Sequence, residues 1–125
     1  MSKIINSTKA PAPIGPYSQA VFANGVLYVS GQIAIDQASG NIVNTDIVAE
    51  THQVMNNLKA ILEEAGLSFA NVVKCGIFVK DLNNFATINA TYGEYFKSNP
   101  PARETVEVSR LPKDVNVEIS CIAVA

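Results

Sequence analysis

A chain of 125 residues can bury a substantial core but is too short for two ordinary domains, so residues 1–125 read as a single domain. Hydrophobic residues make up 48% and charged residues 16%, a balance that argues against disorder and, with so thin a charged coat, points to association between copies. The net charge of -2 and the lack of any Lys/Arg cluster argue against nucleic acid as the main partner.

The opening "MSKIINSTKAPAP" lacks the apolar stretch of a signal peptide, and no apolar run approaches the roughly 18 residues that span a bilayer. The expected location is cytoplasmic, with no membrane partner. Cys75 and Cys121 each alternate with apolar neighbours and read as reduced core thiols. One histidine and two separated cysteines do not make a zinc ligand set.

In chain order, "QAVFANGVLYVSGQI" places Asn24-Gly25 between two alternating apolar runs, a hairpin signal because both turn residues tolerate positive φ. "DQASGN" then separates "QIAI" from "NIV" and suggests a second short strand pair. From Asp46 to Ala65 the apolar positions, including Ile47, Val54, Leu58 and Ile61, fall on one helical face, and Gly66 stops the helix. Residues 72–80 alternate again, with Val73, Cys75, Ile77 and Val79 on one side. A second helix is predicted over 83–97, burying Phe85, Ile88, Tyr92 and Phe96 and ending at "SNPP". Two strands follow in "PARETVEVSRLPKDVNVEIS", and the apolar tail "CIAVA" suggests that the last is central or lies at a subunit contact. Strands and two amphipathic helices in this order predict an α+β arrangement, with both helices on one face of a mixed sheet.

Two charges in the last stretch stand out: Arg103, one of only two arginines, and Glu118, flanked by Val117 and Ile119. With Val106 and Val108 on one face of the penultimate strand, Arg103 and Thr105 fall on the other. With Val117, Ile119, Cys121 and Ala123 turned to the helices, Glu118 points away from them. Pairing of the two strands through "RLPKD" then sets Thr105 opposite Glu118 and Arg103 one step away on the diagonal, at about 7–8 Å. Val72, Phe78, Ile122 and Val124 share that face, as they would in a subunit interface or a lined pocket. Two readings stay open: a surface ion pair worth ~0–1 kcal/mol, or a site where Arg103 presents its fork to a carboxylate while Glu118 orients or deprotonates a water.

The segments "IGPYSQA", "VSGQI", "FVKDLNNFATINATYGEYF" and "PARETVEVSRLPKDVNVEIS" together resemble the Rid/YjgF family of enamine and imine deaminases over nearly the whole chain. The resemblance implies a chorismate-mutase-like six-stranded sheet carrying two helices, assembled as a homotrimer with three clefts between subunits. It implies that Arg103 binds the carboxylate of a 2-imino acid, that Glu118 positions the attacking water, and that the Thr105 backbone meets the imine nitrogen. Many members carry Cys where this chain has Thr105, so a thiol role there is excluded. Tyr17, Ser30, Gly31 and Asn89 match positions lining the cleft. The implied substrates are 2-iminopropanoate, derived from 2-aminoacrylate, and 2-iminobutanoate, with no metal or cofactor.

Each of these residues also has a structural reading. Tyr17 after Gly15-Pro16 fits a packing residue anchored at a turn, Ser30 and Gly31 fit a strand end, and Asn89 fits an amide on a helix surface. His52 lies off the apolar stripe and reads as solvated. Two rival functions are a non-catalytic regulatory module binding small carboxylates, and the endoribonuclease or translation-inhibitor activity attributed to some relatives; the acidic net charge weighs against the latter.

Overall fold

The computed structural model describes residues 2–125. Six strands form one sheet: β1 (Ser2–Ile5), β2 (Ala20–Ala23), β3 (Val26–Gln32), β4 (Val72–Val79), β5 (Ala102–Glu107) and β6 (Val117–Val124). Their order is β1-β2-β3-β6-β4-β5, and among the described residues only the β4–β5 pair is parallel. The helices α1 (Ile47–Glu64) and α2 (Phe85–Gly93) pack against each other, and α1 lies on β3 and β6. The mixed sheet and paired helices are as predicted, and β6 is central, as the apolar tail suggested.

Local chemistry accounts for most elements. Asn24 and Gly25 both take positive φ (52° and 78°), the requirement of a two-residue hairpin turn between β2 and β3. Asp46 caps α1 by accepting from the Ala49 N–H at 2.7 Å, and Gly66 follows the helix in the left-handed region. The buried stripe of α1, Val54, Met55, Leu58, Ile61 and Leu62, meets Val117, Ile119, Cys121 and Ala123 of β6 and Leu27 and Val29 of β3. The "DQASGN" turn closes a single bridge, Ile35–Ile42, rather than a strand pair.

Three further expectations are corrected. The second helix is shorter than 83–97: a 3-10 turn at Leu82–Asn84, capped by Asp81, precedes α2, which ends at Gly93. Ile88 and Tyr92 are buried, whereas Phe85 is 38% exposed. In β4 a register shift between Val72 and Lys74 reverses the first residues, so Val72 joins the core and Val73 is 48% exposed.

The third concerns the last two strands, which do not pair. The chain from β4 through α2 to β5 is a crossover, which makes β5 parallel to β4 at the sheet edge. β6 then enters on the other side of β4, and "RLPKD" becomes a 3-10 turn at Pro112–Asp114 with Lys113 and Asp114 in the left-handed region. Thr105 is accordingly opposite Ile77, and Glu118 is opposite Phe78. Arg103 pairs with buried Cys75, so Arg103 and Thr105 face the helices while Val106 faces away from them, 41% exposed.

Candidate active site

The charges Arg103 and Glu118 stand on opposite faces of the sheet. Phe78 pairs with both Val106 and Glu118, which sets Glu118 level with a residue three positions from Arg103, about 10 Å along the strands, and two strand spacings, about 10 Å, across. No ion pair among the described residues joins the two. The arrangement rules out an idle pair and separates the predicted site residues into two groups.

The first group surrounds Glu118. In β3 the register jumps between Val29, opposite Cys121, and Gln32, opposite Ile119, so that Ser30 and Gly31 bulge from the ladder toward Glu118. A Cβ at position 31 would lie 2.5 Å from Glu118 Oε2 and 2.8 Å from its Cδ; only glycine leaves room for the carboxylate there. Ser30 fastens the preceding loop to β3: its Oγ donates to the Ser18 carbonyl at 2.7 Å, and its N–H donates to the Gln19 carbonyl at 2.9 Å. Buried Gln19 holds the same loop from below, its amide donating to the carbonyls of Ser7 and Pro11 and accepting from the Ser7 N–H. Tyr17, 48% exposed, stands at the end of this loop with its hydroxyl near the Ile14 N–H.

Ser30, Gly31 and Glu118 supply the polar part of an open cavity of about 380 Å³ whose walls include Ile14, Tyr17, Ile33, Ile35 and Pro112. Glu118 is half-buried and has no ion-pair partner among the described residues. Burial pushes its carboxyl above the usual glutamate range.

The second group lies on the helix-bearing face at the β5 edge. The Arg103 guanidinium carbon sits 5.1 Å from the Tyr92 ring centroid and 5.8 Å from that of Phe85, a cation–π shelf built by α2. Asn89 falls four residues after Phe85 and three before Tyr92, on the same helical stripe. Thr105 is the next residue of β5 on this face, and its hydroxyl, like that of Tyr92, is buried without a hydrogen-bond partner among the described residues. Burial pushes the Cys75 thiol and the Tyr92 phenol upward, so both are held neutral beside Arg103. The other arginine contrasts with it: Arg110 is committed to Asp114 through two hydrogen bonds of 2.7 and 3.1 Å within its own turn.

The stripe that supports Arg103 was legible only as a core stripe, since aromatic residues at helical spacing give no hint that one edge carries a cation. His52 is less free than predicted: its Nδ1 is 2.7 Å from the Tyr95 hydroxyl, and its Nε2 is 4.0 Å from Glu94. No group of three or more His, Cys, Asp or Glu among the described residues is placed to hold a metal ion. No helix among them is long and apolar enough to cross a membrane.

The family model described as "Endoribonuclease L-PSP" matches residues 7–125. A RutC family protein of Synechocystis sp. is 52% identical over 124 residues, covering 98% of this chain and 95% of that protein. Among solved structures, a conserved Rid family protein of unknown function from Yersinia pestis superposes with a TM-score of 0.97 at 46% identity, covering 100% of both chains. TdcF of E. coli with bound serine gives 0.94 at 42% identity, covering 98% of each chain.

Proposed function

Because the chain belongs to the Rid/YjgF family, we propose that it is a 2-imino acid deaminase, hydrolysing 2-iminopropanoate and 2-iminobutanoate to 2-keto acids and ammonia without a cofactor. The observation that carries this reading is that Arg103 and Glu118 are half-buried charges with no ionic partner among the described residues, each braced by its surroundings. Since they stand back to back in one chain, the working site takes Arg103, Thr105 and Asn89 from one copy and Glu118, Gly31, Ser30 and Tyr17 from another. A homotrimer with three such clefts supplies this arrangement.

Each group then has a task. The Arg103 fork holds the substrate carboxylate, its orientation kept by the aromatic shelf. Glu118 takes a proton from water as the water oxygen bonds to the imine carbon, and a raised carboxyl pKa suits it to return that proton to nitrogen. As the C–N bond of the resulting carbinolamine breaks and ammonia leaves, the hydroxyl gives its proton to Glu118 and the carbonyl forms. A protonated imine is already electrophilic, so orientation and proton transfer suffice. The serine held by the E. coli relative is of the same class, a carboxylate beside a nitrogen-bearing carbon.

The test generates 2-iminobutanoate with a threonine dehydratase and traps the remaining imine with semicarbazide. Wild type lowers the semicarbazone yield, while Arg103→Ala and Glu118→Gln do not. Equal suppression by wild type and Arg103→Ala sinks the assignment. No suppression by any of them, with small carboxylates still bound, favours a regulatory binding module.

A further inference from the structure

Glu50, in the first turn of α1, is completely buried and spends both carboxylate oxygens on one residue of another element. Its Oε2 accepts from the Asn116 backbone N–H at 2.7 Å, and its Oε1 accepts from the Asn116 side-chain amide at 2.8 Å. The Asn116 carbonyl in turn accepts from the Lys80 N–H at 3.0 Å, just beyond β4. Asn116 is thus held from α1 and from the end of β4 at once, immediately before β6 begins. Glu118 lies two residues further on, fitted against Gly31.

From this geometry we infer that Glu50 is a positioning residue for Glu118: it clamps Asn116, fixes how β6 leaves the preceding turn, and thereby holds the Glu118 carboxylate over Gly31. The inference rests on the deaminase reading for its kinetic consequence, though not for its structural one. An acid at this place is expensive to bury, and a smaller apolar residue would fill a first helical turn as well. What the acid adds is two acceptors for the two donors of Asn116. A glutamine in its place keeps that function if the Asn116 amide turns over: the glutamine oxygen takes the backbone N–H, and the glutamine nitrogen donates to Asn116 Oδ1. Methionine, of similar length, removes both acceptors.

The experiment compares Glu50→Met and Glu50→Gln by steady-state kinetics and by the carbon-13 NMR titration of the Glu118 side-chain carboxyl. Glu50→Met lowers kcat about tenfold or more, leaves KM within about twofold because Arg103 is untouched, and moves the Glu118 titration. Glu50→Gln stays within about threefold of wild type in kcat and keeps the titration. A folded Glu50→Met protein with an unmoved Glu118 titration overturns the inference, as does a Glu50→Gln protein impaired as much as Glu50→Met. If Glu50→Met does not fold, Asn116→Ala, which removes one arm of the clamp, is judged by the same criteria. Should the wild type fail to deaminate, the functional reading falls while the titration still decides whether Glu50 positions Glu118.

Discussion

Gly31→Ala perturbs the proposed site by one methyl group. An alanine Cβ would stand 2.5 Å from Glu118 Oε2, whereas ordinary van der Waals separation requires the oxygen to retreat by about 1 Å. The obstruction is the far end of a flexible side chain, so the fold yields easily and thermal stability changes little. Catalysis is less forgiving, since a displacement of about 1 Å at a reacting group costs on the order of 10²-fold, or ~2.7 kcal/mol in the barrier. The assay is the semicarbazide trap with 2-iminobutanoate, run beside circular dichroism and a melting curve on the same preparation. The expected result is a native-like spectrum with kcat/KM down about a hundredfold. A Gly31→Ala protein within about threefold of wild type, when Glu118→Gln is inactive, would show that the observed carboxylate position is not the one used in catalysis.

Two further outcomes follow from the placement of the charges. Burial raises the Glu118 pKa in the fold, so the folded state binds its proton more tightly than the unfolded chain does. Stability is then intact below the unfolded pKa and falls as pH rises through the folded value; Glu118→Gln accordingly raises Tm at neutral pH and leaves it unchanged in acid, as differential scanning calorimetry at the two pH values would reveal. Arg103→Ala and Glu118→Gln should complement each other: refolding the two inactive proteins together at equal concentration restores about a quarter of wild-type activity, because that share of clefts pairs an intact Arg103 with an intact Glu118. No recovery on mixing would place both charges in the same copy's contribution.

What could be read from the sequence was local. The Asn24-Gly25 hairpin and α1 with its Gly66 stop are written in short windows, where turn chemistry and a 3.6-residue stripe decide the outcome. Alternation in β5 correctly grouped Arg103 with Thr105, yet a period of two states only that residues share a face, not which one. Assigning the face required knowing that β5 follows β4 in parallel through α2 instead of returning beside β6, a non-local choice carried by no residue of "RLPKD". A one-residue irregularity had the same effect at Val72 and Val73. Glu50 shows the limit most plainly: an acid in the first turn of a helix is favourable anywhere, and nothing near it in the chain announces an asparagine 66 residues away.

The back-to-back placement of Arg103 and Glu118 bears on how the activity would be governed in a cell. On the proposed reading, a newly made or dissociated chain is inert however well it folds, and specific activity becomes a function of protein concentration. Dilution toward the dissociation constant of the assembly would quench turnover before any loss of secondary structure. The threshold at which reactive imines escape clearance would therefore be set by the supply of copies as much as by the flux of substrate.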